Sequence, residues 1–272
     1  MHRVVLVTVV VLLAAAAAST ASVTEDAPDW QLVWSDEFDG TALDPTKWDP
    51  QIGTGCPGLC GWGNEELQYY RAENATVADG VLTITARRED FDDAEYTSAR
   101  LRTKGRADWR YGRFEIRARM PIGQGLWPAF WMLPTDSPYG GWAASGEMDI
   151  VEYLGQEPDI IHGTIHHGGE WPENTKTGAD YVLDEGDFHS DFHTFAFEWE
   201  PDELRWYVNG TLYQTLNEWW SSKGEYPAPF DQRFHLVLNM AVGGVWPGNP
   251  DETTTFPQEF VIDYVRVYQK AD

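Results

Sequence analysis

Apolar and polar residues alternate with period two along most of the chain, the mark of strands with one buried and one solvated face. In YGRFEIRARM, Phe114, Ile116, Ala118 and Met120 share one face, while Arg113, Glu115, Arg117 and Arg119 share the other. HTFAFEWE repeats the pattern with Phe195, Phe197 and Trp199, and VLTITA and FVIDYVRVY carry the β-branched and aromatic residues that strands favour. In LRWYVNGTLYQTL, Asn209-Gly210 separates two such runs, which predicts a hairpin closed by a type I′ turn. Gly and Pro punctuate the chain at short intervals. Only Trp219 to Ser222 invites a short helix. The economical fold is all-β, two packed antiparallel sheets in a sandwich or jelly roll.

The N-terminus departs from this pattern. Met1-His2-Arg3 is a short basic start, Val4 to Ala18 is unbroken apolar sequence, and Ser19-Thr20-Ala21 are small. That is the layout of a secretory signal peptide, with an apolar part too short for a comfortable membrane span. Residues 1–21 are therefore expected to be removed, leaving residues 22–272 as one exported, soluble domain without repeats or linkers. In an exported protein the two cysteines, Cys56 and Cys60 in GTGCPGLCGWGN, are expected to form a small-loop disulfide, since no neighbouring pair completes a zinc site. So short a loop stabilises little through chain entropy and reads as a local clamp.

Charge narrows the class of partner. With 19 Lys+Arg against 44 Asp+Glu, the net charge is -25, so the basic footprint for nucleic acid or an anionic membrane is missing. The acidity also serves solubility. A neutral ligand is expected, with no obligate protein partner; the chain reads as a monomer.

The chemistry concentrates in GEMDIVEY, where Glu147, Asp149 and Glu152 lie within six residues. In a regular strand Glu147 and Asp149 share a face and Glu152 falls on the opposite, core-facing side. Burying a lone carboxylate there would cost several kcal/mol, on the order given for unpaired charge. A β-bulge near Ile150-Val151 turns Glu152 back beside the other two, and bulges favour active sites. Across one bulge the Glu147 and Glu152 backbones stand about 13 Å apart. Inward-leaning side chains bring the carboxyls to about 5 Å, the separation used in retaining glycoside hydrolysis. Asp149 between them is placed to hydrogen-bond the nucleophile and raise the acid's pKa. The bland reading is an exposed acidic edge.

Aromatic residues surround this strand in sequence. In GLWPAFWML, Trp127, Ala129 and Trp131 share one face and Leu126, Pro128, Phe130 and Met132 the other; Trp142, Trp171 and Trp246 sit in Gly/Pro-rich segments. Tryptophan rings stack on the apolar faces of sugars, although each is as readily a core residue. Trp199 and Trp206 sit in core-like runs. The chain lacks the nucleophile-elbow sequence G-x-S-x-G and a phosphate-cradling loop. His162, His166 and His167 raise a metal-dependent hydrolase as an alternative, but no third ligand stands at recognisable spacing.

These strings together resemble glycoside hydrolase family 16 in its laminarinase-like branch. The resemblance is carried by GEMDIVEY as E-x-D-x-x-E, and by WSDEFDG, WGNEELQYY, DGVLTITA, YTSARLRTKG, YGRFEIRARMP, GLWPAFWML and DYVRVY, over most of the chain. It implies a β-jelly roll of two curved sheets with a substrate cleft on the concave face, and retaining endo-hydrolysis of β-glucans. By this resemblance Glu147 is the nucleophile, Asp149 its assisting carboxylate and Glu152 the general acid/base. Asn64, Arg100, Trp127, Trp131, His166 and Trp246 match positions that hold the sugar chain. No cofactor is needed for catalysis. Glu37, Gly80 and Asp263 match the ligands of a structural Ca²⁺ on the convex side, a hard-oxygen set that suits that ion.

The bulged spacing favours β-1,3-glucan over the unbulged E-x-D-x-E of lichenases. Red-algal galactan hydrolases share the bulge, and some relatives bind β-glucan without cleaving it, usually after losing the glutamates that this chain retains. Transglycosylation would use the same covalent intermediate.

Overall fold

Strands with one apolar face are stable only when two such faces meet, and the chain solves this with two stacked sheets. The computed structural model describes residues 30–271; the predicted signal peptide, residues 1–21, lies outside them. The strands are β1 (Trp30–Asp36), β2 (Asp49–Gln51), β3 (Gln68–Tyr70), β4 (Ala75–Ala78), β5 (Val81–Phe91) and β6 (Ala94–Ser98). There follow β7 (Arg100–Arg102), β8 (Gly112–Arg119), β9 (Leu126–Pro134), β10 (Glu147–Glu152), β11 (Ile160–Gly168) and β12 (Asn174–Val182). The last are β13 (His193–Trp199), β14 (Leu204–Val208), β15 (Thr211–Leu216), β16 (Phe234–Val242) and β17 (Gln258–Lys270).

One sheet has seven strands in the order β12-β11-β10-β9-β16-β7-β2. The other follows β15-β14-β13-β8-β17-β5-β6-β3, with β1 and β4 added against β17 and β5. This is the expected antiparallel jelly-roll sandwich, apart from one parallel pair, β3 with β6, at the margin of the larger sheet. Among the described residues no helix is long and apolar enough to cross a membrane.

The alternation read from the sequence sorts as expected. Phe114, Ile116 and Ala118 of β8 are fully buried, as are Phe197 and Trp199 of β13. On the outer face Arg113 pairs with Glu115 and Glu198 at 2.9 and 2.8 Å, and Arg205 reaches Glu198 at 2.9 Å. Asn209 and Gly210 have φ of 49° and 80°, the left-handed pair that a type I′ turn between β14 and β15 requires.

Trp219 to Ser222 do not form the expected helix. The backbone runs extended there, with Ser221 bridged to Gly168. The two indoles anchor it, Trp219 donating to the Pro227 carbonyl at 2.9 Å and Trp220 to the Thr175 hydroxyl at 3.2 Å. Those partners take the place of a helical turn. The 3₁₀ turns of the described residues lie instead at Cys60–Gly63 and Ala72–Asn74.

The predicted bulge is present in β10. Asp149 and Glu152 oppose Thr164 and His162 of β11, so one extra residue is inserted between them; against β9 the shift falls between Asp149 and Val151. Ile150 and Val151 both enter the core, and Glu152 returns to the face of Glu147 and Asp149. An inserted residue disrupts the ladder. Here the indole of Trp206, fully buried on β14 of the opposite sheet, donates to the Asp149 carbonyl at 2.9 Å. Gly163 makes room for that ring, since a Cβ there would lie 2.7 Å from Trp206 Cδ1.

Trp206→Phe removes the donor and leaves a buried carbonyl unpaired, which costs about 1–3 kcal/mol. Denaturant unfolding should show that loss; an unchanged midpoint would mean the bulge stands without the indole.

Candidate active site

The seven-stranded sheet turns one face to the core and presents the other as a cleft floor. On β9 the alternation buries Leu126, Phe130 and Met132 and leaves Trp127 and Trp131 partly open. β10 crosses the middle of this floor. Its three carboxylates face residues of β11 in register: Glu147 opposite His166, Asp149 opposite Thr164, Glu152 opposite His162.

The carboxylates are sheltered but differently partnered. Glu147 accepts a hydrogen bond from Trp142 Nε1 at 2.8 Å, and Glu152 accepts one from Trp127 Nε1 at 3.1 Å. Asp149 is only 3% exposed, and its Oδ2 has no hydrogen-bond partner. Burial raises the pKa of all three above the usual carboxylate range, and charge repulsion within the trio adds to the rise for Glu147 and Asp149. The indole donors of Trp142 and Trp127 oppose the rise at Glu147 and Glu152. His166 Nε2 lies 3.8 Å from Glu147 and 3.6 Å from Asp149, but burial pushes its pKa down to about 4, so at neutral pH it is an uncharged hydrogen-bonding group.

Glu147, Asp149 and His166 offer ligand atoms within 4.8 Å of one another, a spacing that a divalent cation could bridge. Of the three histidines only His166 belongs to this group; His162 faces Asp180 and His167 faces Trp220 and Thr177.

The remaining sugar-holding candidates fall on both sides of β10. Toward β7, Arg100 is buried with its guanidinium 4.6 Å from the Trp62 ring and 4.8 Å from the Trp131 ring, and its Nε donates to Gln51 at 2.8 Å. Trp131 donates to Asn239 at 2.7 Å; Asn239 donates to Tyr70, which donates to Glu66 at 3.0 Å. Asn64 joins this network by donating to Glu66 at 3.3 Å. It lies four residues beyond the Cys56–Cys60 disulfide, at the end of the Cys60–Gly63 turn. Toward β11, Trp246 packs edge-on against Trp127 and His162, at 5.3 and 4.9 Å, with Lys176 Nζ 4.9 Å above its ring. Arg100 thus meets Trp131, Trp246 meets Trp127, His166 stands opposite Glu147, and Asn64 joins through Glu66.

The sequence reading did not assign Trp142, Trp62, Asn239, Lys176 or Trp206. Trp142 carried a signal, five residues before Glu147 in a Gly-rich loop; the rest emerge only from strand register.

Glu37, Gly80 and Asp263 come to one corner of the larger sheet, since Asp36 opposes Val265 and Leu82 opposes Ile262. Both carboxylates have cationic partners: Glu37 receives two bonds from Arg266, at 2.9 and 2.7 Å, and Asp263 pairs with Arg117. A cation at this corner would have to compete with these arginines for both carboxylates.

Carboxylates bracketing a sugar-sized, tryptophan-lined cleft are what acid/base cleavage of a glycosidic bond requires. The model of the glycosyl hydrolases family 16 matches residues 63–266. The chain belongs to that family. A beta-glucanase of Rhodothermus marinus is 48% identical over 257 residues, covering 90% of this chain and 87% of that protein. A glucan endo-1,3-beta-glucosidase of Cryptopygus antarcticus is 43% identical over 258 residues, covering 87% and 91%. The catalytic domain of an endo-1,3-beta-glucanase (laminarinase) from Thermotoga petrophila superposes with a TM-score of 0.83 at 46% identity, covering 90% of this chain and all of that one.

The two indole donors give the pH profile its expected response. With Glu147 as the expected nucleophile and Glu152 as the expected acid, activity needs the first ionised and the second protonated. Trp142→Phe removes a bond that lowers the Glu147 pKa, so the acidic limb should move up by about one unit. Trp127→Phe should raise the alkaline limb similarly through Glu152. Measuring kcat/KM against pH for both variants checks the assignment; limbs that stay in place contradict it.

Proposed function

We propose that this family 16 enzyme hydrolyses internal β-1,3-glucosidic bonds of laminarin-type glucans with retention, as an exported monomer. The observation that carries the reading is the bulge that gathers Glu147, Asp149 and Glu152 on one tryptophan-lined face. The names of the close relatives support the linkage.

Glu147, oriented by Trp142, attacks the anomeric carbon while Glu152 gives its proton to the departing glycosidic oxygen. The product of this half is a glucosyl ester of Glu147. Glu152, now ionised, takes a proton from water as that water attacks the same carbon and frees Glu147. Asp149, when protonated, is placed to hydrogen-bond Glu147 and restrain it between attack and release. Neutral His166 and the Trp131–Arg100–Trp62 stack hold the sugar rings.

Glu147→Gln and Glu152→Gln should each lower kcat on laminarin by a factor of about 10³ or more, as expected for loss of a nucleophile or its acid. NMR of fresh products should show the β-anomer first. Equal sugar release by wild type and Glu147→Gln would sink the mechanism, and activity on agarose with none on laminarin would overturn the substrate.

Chelation separates two metal roles. Calcium at the Glu37–Gly80–Asp263 corner is proposed as structural, so EDTA should lower Tm by a few degrees, reversibly with Ca²⁺, while kcat at 25 °C holds. Loss of kcat at constant Tm would instead place a working metal at Glu147, Asp149 and His166.

A further inference from the structure

Side chains from opposite walls of the cleft meet beside Glu152. Glu152 lies in register with Ala129 of β9 and His162 of β11. Trp127, two residues before Ala129 on the same face, donates its indole N–H to Glu152 at 3.1 Å. Trp246, in the loop after β16, packs edge-on against both Trp127 and His162, so its ring stands across the end of β10. From the far wall, Lys176 of β12 brings its Nζ to 4.9 Å above that ring.

Register and charge bring Lys176 there. It lies opposite His166, which itself opposes Glu147, so alternation puts it on the cleft face of β12 together with Asp180. Asp180 is taken by His162 Nδ1 at 2.7 Å, and among the described residues no carboxylate pairs with Lys176. Its ammonium rests instead on the indole face, whose negative potential attracts a cation. The backbone of the loop has ties of its own: Val245 N–H donates to the Asn64 carbonyl at 2.8 Å, and Gln124 and Gln156 donate to the Pro247 carbonyl at 2.6 and 3.0 Å. No hydrogen bond among the described residues fixes the Trp246 ring; the two edge contacts and the ammonium do.

We infer that Lys176 is a positioning residue for proton donation: seated on Trp246, it holds that ring against Trp127 and so keeps the Trp127 indole aimed at Glu152. This deepens the proposed function and rests on it, since the aim matters only if Glu152 gives its proton to the departing glycosidic oxygen. Burial raises the Glu152 pKa, and the charge of Lys176 opposes that rise through space. The clasp, by contrast, acts through Trp246, so the two effects separate by experiment.

The test compares laminarihexaose, whose sugar leaving group needs the proton, with a dinitrophenyl β-laminaribioside, whose leaving group departs without it. Each variant is read at its own pH optimum, which removes any shift of the profile. Lys176→Met should lower kcat/KM on the hexaose about fivefold, the scale of one cation–π contact, and leave the aryl substrate and Tm in place. Lys176→Arg, which keeps a cation for the ring, should restore the loss. In a Trp246→Leu background, Lys176→Met should cost nothing further. Equal loss on both substrates, no loss on either, or a full additional loss without Trp246 overturns the positioning role. If the wild type cleaves neither compound, the β-1,3-glucan reading fails and the role with it, a result distinct from these.

Discussion

Ile150 and Val151 enter the core as consecutive residues, while Glu147, Asp149 and Glu152 all face the cleft; no regular pleat does both. One inserted residue reconciles them, at the cost of a local break in the ladder. At that break the Asp149 carbonyl accepts from Trp206, a core residue of the opposite sheet. The geometry of the cleft is thus set from beneath, by packing between the sheets. Gly163 belongs to the same device, because only a residue without a side chain leaves space for the indole under the bulge.

Crowding three carboxylates on a dry surface then fixes their division of labour. Two indole N–H groups serve three acids, and the one left without, Asp149, is the most deeply buried. Burial disfavours charge on all of them, and the donors temper that rise at Glu147 and Glu152. Trp127 and Trp142 therefore act on the chemistry as well as on the shape of the cleft. Their positions explain why aromatic residues sit so close to the acids in sequence, on the next strand and in the preceding loop.

Much of this was legible in the chain. The alternation in β8 and β13, the Asn209-Gly210 turn and the conflict between Glu152 and a regular strand each follow from period-two geometry, and each has its counterpart in the structure. What sequence could not supply was cross-strand register. Arg100 and Trp131 lie on strands separated by β16, and nothing local tells that Trp62 closes the stack from a loop. The same limit hid Trp206, which reads as ordinary core until its partner is known. The helix expected at Trp219 to Ser222 failed for a related reason: distant partners at Pro227 and Thr175 outweighed local preference.

The chain of bonds from Trp131 through Asn239 and Tyr70 to Glu66 starts in the seven-stranded sheet and ends beside β3, on the margin of the other. It rivets the two layers together along that flank. At the opposite flank β12 is mostly exposed and pairs as a strand with β11, while Tyr181 meets Tyr213 of β15 and Gln214 of β15 donates to the Gly163 carbonyl of β11. The two ends of the cleft are consequently fastened by different means, one by a relay of buried polar side chains and the other by packed tyrosines and a single amide.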